Sequence, residues 1–230
     1  MTTSIHSLRP RHILALPGSL RRDGCNRRLL RAAAHRAPPG MRIELYEALS
    51  EVPLFDEDLE AQAPDGPAGV QRLREAVASA DGVLIATPEY NQSLPGVLKN
   101  AIDWLSRPAP GEVLPGKPVA ITGATPGRWG TRLAQTALRQ TLAAIGAAVM
   151  PAPMLFVADA PTLFDADGTL HDPATRDALR TFLDGFANWL ERMDARPVRT
   201  ESTEPGMPSA KMSSGPVTPP RYASRPEVED

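Results

Sequence analysis

The chain carries one cysteine, Cys25, in 230 residues. That excludes an internal disulfide and any metal or iron–sulfur site built from cysteines. The four histidines, His6, His12, His35 and His171, stand at no metal-ligand spacing, so no metal is expected. Lysine is almost missing: Lys99, Lys117 and Lys211 are all of it, and arginine supplies the remaining positive charge. A formal net charge of −2 removes the bulk electrostatic case for a nucleic acid or an anionic membrane as partner. No apolar run approaches the roughly 20 residues that cross a bilayer. The opening MTTSIHSLRPRH lacks the apolar stretch of a signal peptide, so a cytoplasmic location is the default expectation. Two well-known phosphate loops, G-x-x-x-x-G-K-[ST] and G-x-G-x-x-G, are also missing.

What is present is ordinary for a globular domain: 42% hydrophobic and 23% charged residues, in a length that suits one core. Residues 197–230 separate by composition, being rich in Pro, Ser and charge and poor in large apolar side chains. Such a segment buries too little to offset its ordering entropy. It is expected to be a disordered tail or to drape on a partner subunit, with residues 1–10 also loose and 11–196 folded.

Within the domain, short apolar runs alternate with helical patterns. HILAL (12–16), GVLIA (82–86) and PVAIT (118–122) are apolar throughout, whereas MRIELY (41–46) alternates with period two. Continuous apolar strands belong in a parallel sheet covered on both faces, and the alternating one belongs nearer an edge. MPAPMLFV (150–157) reads as a strand broken by Pro151 and Pro153. Helical spacing marks 26–35, 69–79, 94–106, 131–145 and 172–193, the last with Asp172 as cap and Pro173 behind it. Residues 53–60, PLFDEDLE, read as a loop whose acids point different ways. Arg27, Arg28 and Arg31 read as the wet face of the first helix. The fold class expected is α/β: a doubly wound, five-stranded parallel sheet, of the common orders best served by 2-1-3-4-5.

In such a sheet the β-to-α loops emerge at the carboxyl edge, where ligands bind. Three look specialised. PGSLRRDG after the first strand offers the Ser19 hydroxyl, the two-pronged Arg21 and the open end of a helix, a seat for a phosphate. TPEYNQSLPG after the third displays Glu89, Tyr90 and Asn91, suited to a flat heteroaromatic ring. TGATPGRWGT after the fourth has three glycines that let backbone approach a ligand, with Arg128 and Trp129 at its tip. Phosphate at one loop and a planar ring at the other two fit a mononucleotide. A dinucleotide fits less well, because the only acid near the end of the second strand is Glu47. FMN lying across the switch between first and third strands is the simplest ligand.

These segments resemble the NAD(P)H-dependent FMN reductase family of flavodoxin-like proteins, which includes quinone, chromate and azo-dye reductases. PGSLRRDGCN is similar to that family's G-S-x-R-x-x-S-x-N loop, with Gly24 where the family has its second serine. PEYNQSLPGVLKNAIDW and PGRWGTRLAQTALRQTL look like its second and third flavin loops with their helices. The resemblance implies that Ser19, Arg21 and Asn26 hold the FMN phosphate. It implies that Pro88, Glu89, Tyr90 and Asn91 line the ring, largely through backbone, and that Gly123, Thr125 and Gly127 approach its pyrimidine end. Arg128 and Trp129 are then candidates for substrate binding, Arg128 for the 2′-phosphate of NADPH or a subunit contact. Lys99, Asn100 and Asp103 are expected to be structural. The activity implied is ping-pong hydride transfer from NADPH or NADH to the flavin and on to a quinone, flavin, chromate or azo acceptor. A homodimer or homotetramer is implied, with Trp104 and Trp129 placed to anchor it. The alternatives are a one-electron carrier, a non-catalytic flavin-binding module and a phosphate-ester binder without flavin.

Overall fold

Strands form here where apolar runs are too short for helices and are flanked by turn residues. The computed structural model describes residues 9–63, 65–107 and 112–195. The expectations for the tail and for residues 1–8 lie outside the described residues. Strands β1 (Arg11–Pro17), β2 (Met41–Leu45), β3 (Gly82–Ala86) and β4 (Pro118–Ala124) are parallel neighbours. The order is β2-β1-β3-β4-β5, with β2 at the edge and alternately buried and exposed, as its period-two pattern requires.

The broken fifth strand is two strands. β5 (Ala148–Val149) pairs with the start of β4, and β6 (Leu155–Val157) pairs with its end. Pro151 and Pro153 lie between them and cannot donate to a ladder. The sheet therefore has six strands, not five, with β5 and β6 sharing one flank of β4.

Among the described residues there are six α-helices: α1 (Cys25–His35), α2 (Glu57–Gln62), α3 (Ala68–Ser79), α4 (Gly96–Leu105), α5 (Arg132–Ala144) and α6 (Pro173–Asp194), of which all but α2 bury side chains against the sheet. Leu29 and Leu30 of α1 pack with Phe182 and Phe186 of α6 against Ile13, Ala15 and Leu84. Leu73 and Val77 of α3, Ile102 of α4 and Leu138 of α5 pack with Leu14, Leu16 and Ile85 on the other face. Two cores around one sheet explain why β1 and β3 have no polar side. No described helix is long and apolar enough to cross a membrane.

Three expectations need correction. Residues 57–62 form helix α2, capped by Asp56, whose carboxylate accepts from the Asp58 N–H at 2.8 Å. Arg27 is not on a wet face: its side chain is 8% exposed and pairs with Glu47. Trp104 is fully buried, its ring edge-on to Phe55 at 4.9 Å and its indole N–H bonded to the Pro53 carbonyl at 2.9 Å. It is core and offers no anchor to a partner. Asn100 holds the same segment, donating to the Pro53 carbonyl and accepting from the Phe55 N–H at 2.8 and 2.7 Å.

Candidate functional site: the carboxyl edge of the sheet

At the first loop the chain turns in close quarters at Gly18. A Cβ on Gly18 would lie 3.2 Å from the Ala86 carbonyl and 3.0 Å from Leu98, and the Gly18 N–H donates to that carbonyl at 2.8 Å. The loop is thus laid on the end of β3. The Ser19 hydroxyl accepts from the Arg21 N–H at 3.3 Å, and the Arg21 side chain is exposed. Helix α1 then opens at Gly24, with no side-chain cap and no acid in its first turn. Its first N–H groups and the positive end of its dipole face outward without a counter-charge from the helix itself. Orphan donors, a hydroxyl and a free guanidinium at one helix end fit a phosphate monoester such as that of FMN.

Asn26 ties that seat to β4. Its amide nitrogen donates to the Ala124 carbonyl at 2.9 Å, and its amide oxygen accepts from the Ala124 N–H at 2.8 Å. The second amide hydrogen takes no part in these two bonds.

The second loop is a tight turn. Tyr90 and Ser93 exchange two backbone bonds at 3.0 Å, and Asn91 and Gln92 between them have φ of 49° and 63°, as a two-residue hairpin turn requires. Tyr90 is 53% exposed, so it does not pack on its own helix. Glu89 points elsewhere: its carboxylate accepts from the Leu133 and Ala134 N–H groups at 2.9 and 3.1 Å. Helix α5 has no acid of its own in its first turn, and Glu89 supplies the missing charge. Both bonds fall on one carboxylate oxygen, Oε2.

In the third region Gly123 is a correction. It lies inside β4, and the space its Cβ would take is filled by the Thr131 hydroxyl and the Thr87 carbonyl. Close packing, not ligand approach, accounts for that glycine. Gly127 is different: a Cβ there would meet nothing nearer than the Thr125 hydroxyl at 3.8 Å, so there is room beside its Cα, although its N–H donates to that hydroxyl and its carbonyl accepts from the Asp159 N–H, both at 3.3 Å. Thr125 is pinned, its N–H donating to the Val157 carbonyl and its carbonyl accepting from the Ala160 N–H, both at 3.0 Å. Trp129 is 66% exposed, with the Arg128 guanidinium 4.7 Å above its ring. A cleft of about 420 Å³ lies among Glu89, Gln92, Trp129, Arg132 and Leu133. It joins the second and third loops.

The edge therefore brings Ser19 and Arg21 to one helix end and Gln92 and Trp129 to an open cleft. Glu89 and Asn26 serve as ties between those loops. Among the described residues, Lys99 and Asp103 form a pair within α4 at 2.6 Å, as expected of a structural face.

The profile of the family described as NADPH-dependent FMN reductase matches residues 11–162. An NAD(P)H-dependent FMN reductase from Pseudomonas aeruginosa is 44% identical over 181 residues, 79% of this chain and 96% of that protein. A 2-hydroxy-1,4-benzoquinone reductase from a Burkholderia species is 39% identical over 178 residues, 77% of this chain and 95% of that one. The solved structure of FerB, a flavoenzyme NAD(P)H:(acceptor) oxidoreductase from Paracoccus denitrificans, superimposes with a TM-score of 0.73 at 35% identity, covering 80% of this chain and 98% of that chain. With the sheet order, the phosphate seat and these relatives in hand, the chain belongs to the NADPH-dependent FMN reductase family and is an oxidoreductase.

Proposed function

We propose that the chain binds FMN across the first, second and third loops and reduces a small quinone at the expense of NADPH or NADH. The observation that carries this is the uncapped end of α1 beside Ser19 and Arg21, on the same carboxyl edge of the sheet as the loops after β3 and β4 that border a cleft walled by Trp129. FMN, when bound, supplies the hydride-accepting ring. The protein's own part is binding and orientation. Ser19, Arg21 and the first N–H groups of α1 hold the phosphate; the backbone of residues 88–91 and the open side of Gly127 hold the ring. Donor and acceptor share one cleft and take turns in it, which gives ping-pong kinetics.

A quinone acceptor is supported by the relatives named quinone reductase and 2-hydroxy-1,4-benzoquinone reductase. The exposed Tyr90, Trp129 and Leu133 beside the cleft support a homodimer or homotetramer. A cytoplasmic setting suits the single cysteine and the nicotinamide donor.

The test is Arg21→Ala. Loss of a charged hydrogen bond worth about 1.5–3 kcal/mol should weaken FMN binding by about ten- to a hundredfold, read from quenching of flavin fluorescence. Unchanged retention, or wild-type protein that consumes neither NADPH nor NADH with benzoquinone and FMN present, would sink the reading.

A further inference from the structure

A second cavity lies on the opposite flank of β1 from the ring cleft. It has a volume of about 400 Å³, and its walls include Leu20, Arg22, Asp23, Arg27, Arg31, Glu47 and Ser50. β2 flanks β1 on this side, and β3 and β4 lie on the other. Three guanidiniums meet two carboxylates there, a surplus of one positive charge (three less two).

Arg27 is the informative member. Its side chain is nine-tenths buried, and one nitrogen, Nη1, pairs with Glu47. Its Nε is enclosed without an acceptor. Arg31 stands four residues on, on the same helical face, where like charges repel. Burial depresses the Arg27 pKa, and the charges of Arg31 and Arg22 depress it further. Gathering two further cations beside a buried one costs stability unless an anion is there to satisfy them.

We propose that this cavity is a phosphomonoester subsite, separate from the FMN phosphate seat. Arg27 is paired with Glu47, so Arg22 and Arg31 against Asp23 leave the surplus positive charge to an anionic ligand; guanidiniums bind phosphate in a two-pronged way, and Ser50 adds a hydroxyl. Leu20, 46% exposed, offers apolar surface to an attached base. The first loop carries Arg21 at the FMN phosphate seat and Arg22 at this cavity, so the two sites abut. The phosphomonoester is either the 2′-phosphate end of NADPH or a free phosphorylated small molecule. The first source rests on the oxidoreductase reading above; the second does not. Arg128, the sequence candidate for the 2′-phosphate, lies over Trp129 in the loop after β4, two strands away.

The experiment titrates the full chain, with FMN added, with 2′,5′-ADP and with inorganic phosphate by calorimetry. The double variant Arg22→Gln/Arg31→Gln is compared with wild type and with Arg180→Gln, an exposed arginine on α6. Both cavity arginines are exposed, and a melting curve checks that the variant stays folded. The double variant is expected to bind 2′,5′-ADP about tenfold or more weakly, and Arg180→Gln to bind it as wild type does. If the ratio of kcat/KM for NADPH over NADH also falls about tenfold, the occupant is the dinucleotide. If binding weakens with that ratio unchanged, the occupant is a free phosphomonoester. Equal affinity in wild type and double variant, or an equal drop in Arg180→Gln, overturns the proposal. Failure of the flavin reading shows separately, as absence of turnover with either donor while the calorimetry still stands.

Discussion

Asn26 and Ala124 exchange two hydrogen bonds across 98 residues of sequence, at 2.9 and 2.8 Å. One amide side chain thereby ties the first turn of α1 to the last residue of β4. Ala124 is 1% exposed, so Asn26→Ala leaves a buried N–H and a buried carbonyl unpaired. The expected loss is about 2–4 kcal/mol, or about 5–15 °C in Tm for a domain of this size. FMN retention should fall as well, because two loops lose their common anchor. Asn26→Asp keeps the acceptor half and should fall between. A wild-type melting curve for Asn26→Ala would show that the tie holds nothing.

Gly123 and Gly127 should behave oppositely. A Cβ at Gly123 runs into a backbone carbonyl that cannot yield, so Gly123→Ala should destabilise by about 3 kcal/mol, the upper end for overpacking. Gly127→Ala has room and should move stability by less than about 0.5 kcal/mol, while weakening FMN binding. Chemical denaturation and flavin titration of the two variants separate packing from ligand approach.

Gly24→Ser restores a hydroxyl at the phosphate seat. The backbone there has φ of −72° and ψ of 150°, open to any residue, and a Cβ would sit 3.3 Å from the Arg21 carbonyl. At a helix cap the exchange of Gly for Ser is worth only a few tenths of a kcal/mol, so stability should hardly change. FMN affinity should rise about tenfold, the lower end for a hydrogen bond to a charged group. Titration by fluorescence reads it directly.

Asp172 gives the fold an acid-sensitive cap. Its carboxylate accepts from the Thr175 hydroxyl and N–H at 2.6 and 2.7 Å, and these bonds hold its pKa below the ordinary carboxylate value. A depressed folded-state pKa contributes stability above the unfolded value, about 3.9, and loses it as pH falls through the folded one. Melting temperatures of wild type and Asp172→Asn should therefore differ at neutral pH and converge below about pH 4. A gap that persists in acid would assign the difference to something other than this carboxylate.

The strands were legible because a parallel sheet buried on two faces writes itself as unbroken apolar runs, and β2 betrayed its edge position by alternating. The Asp172–Pro173 start of α6 was legible because a cap is local chemistry. What escaped was long-range. Helical spacing places Arg27 and Arg31 on one face, but burial of Arg27 depends on Glu47, contributed by the segment after β2. Helix α2 buries no residue, so periodicity had nothing to report, and Asp56 was the only hint. The prolines announced a break after Met150 but not that each half would pair with a different half of β4. Glu89 looked like a ligand contact; the clue to its real partner was a helix, α5, that begins with no acid of its own.

The division of the last strand has a further consequence. The loop bearing Thr125 and Gly127 is clasped by Val157 and Ala160, which the chain reaches only after the detour through residues 150–154. Lengthening or shortening that detour would tilt the clasp without replacing any residue that lines the cleft. Acceptor preference in this architecture thus has a tuning screw remote from the chemistry, one that natural drift or an engineer could turn while the catalytic surface keeps its composition.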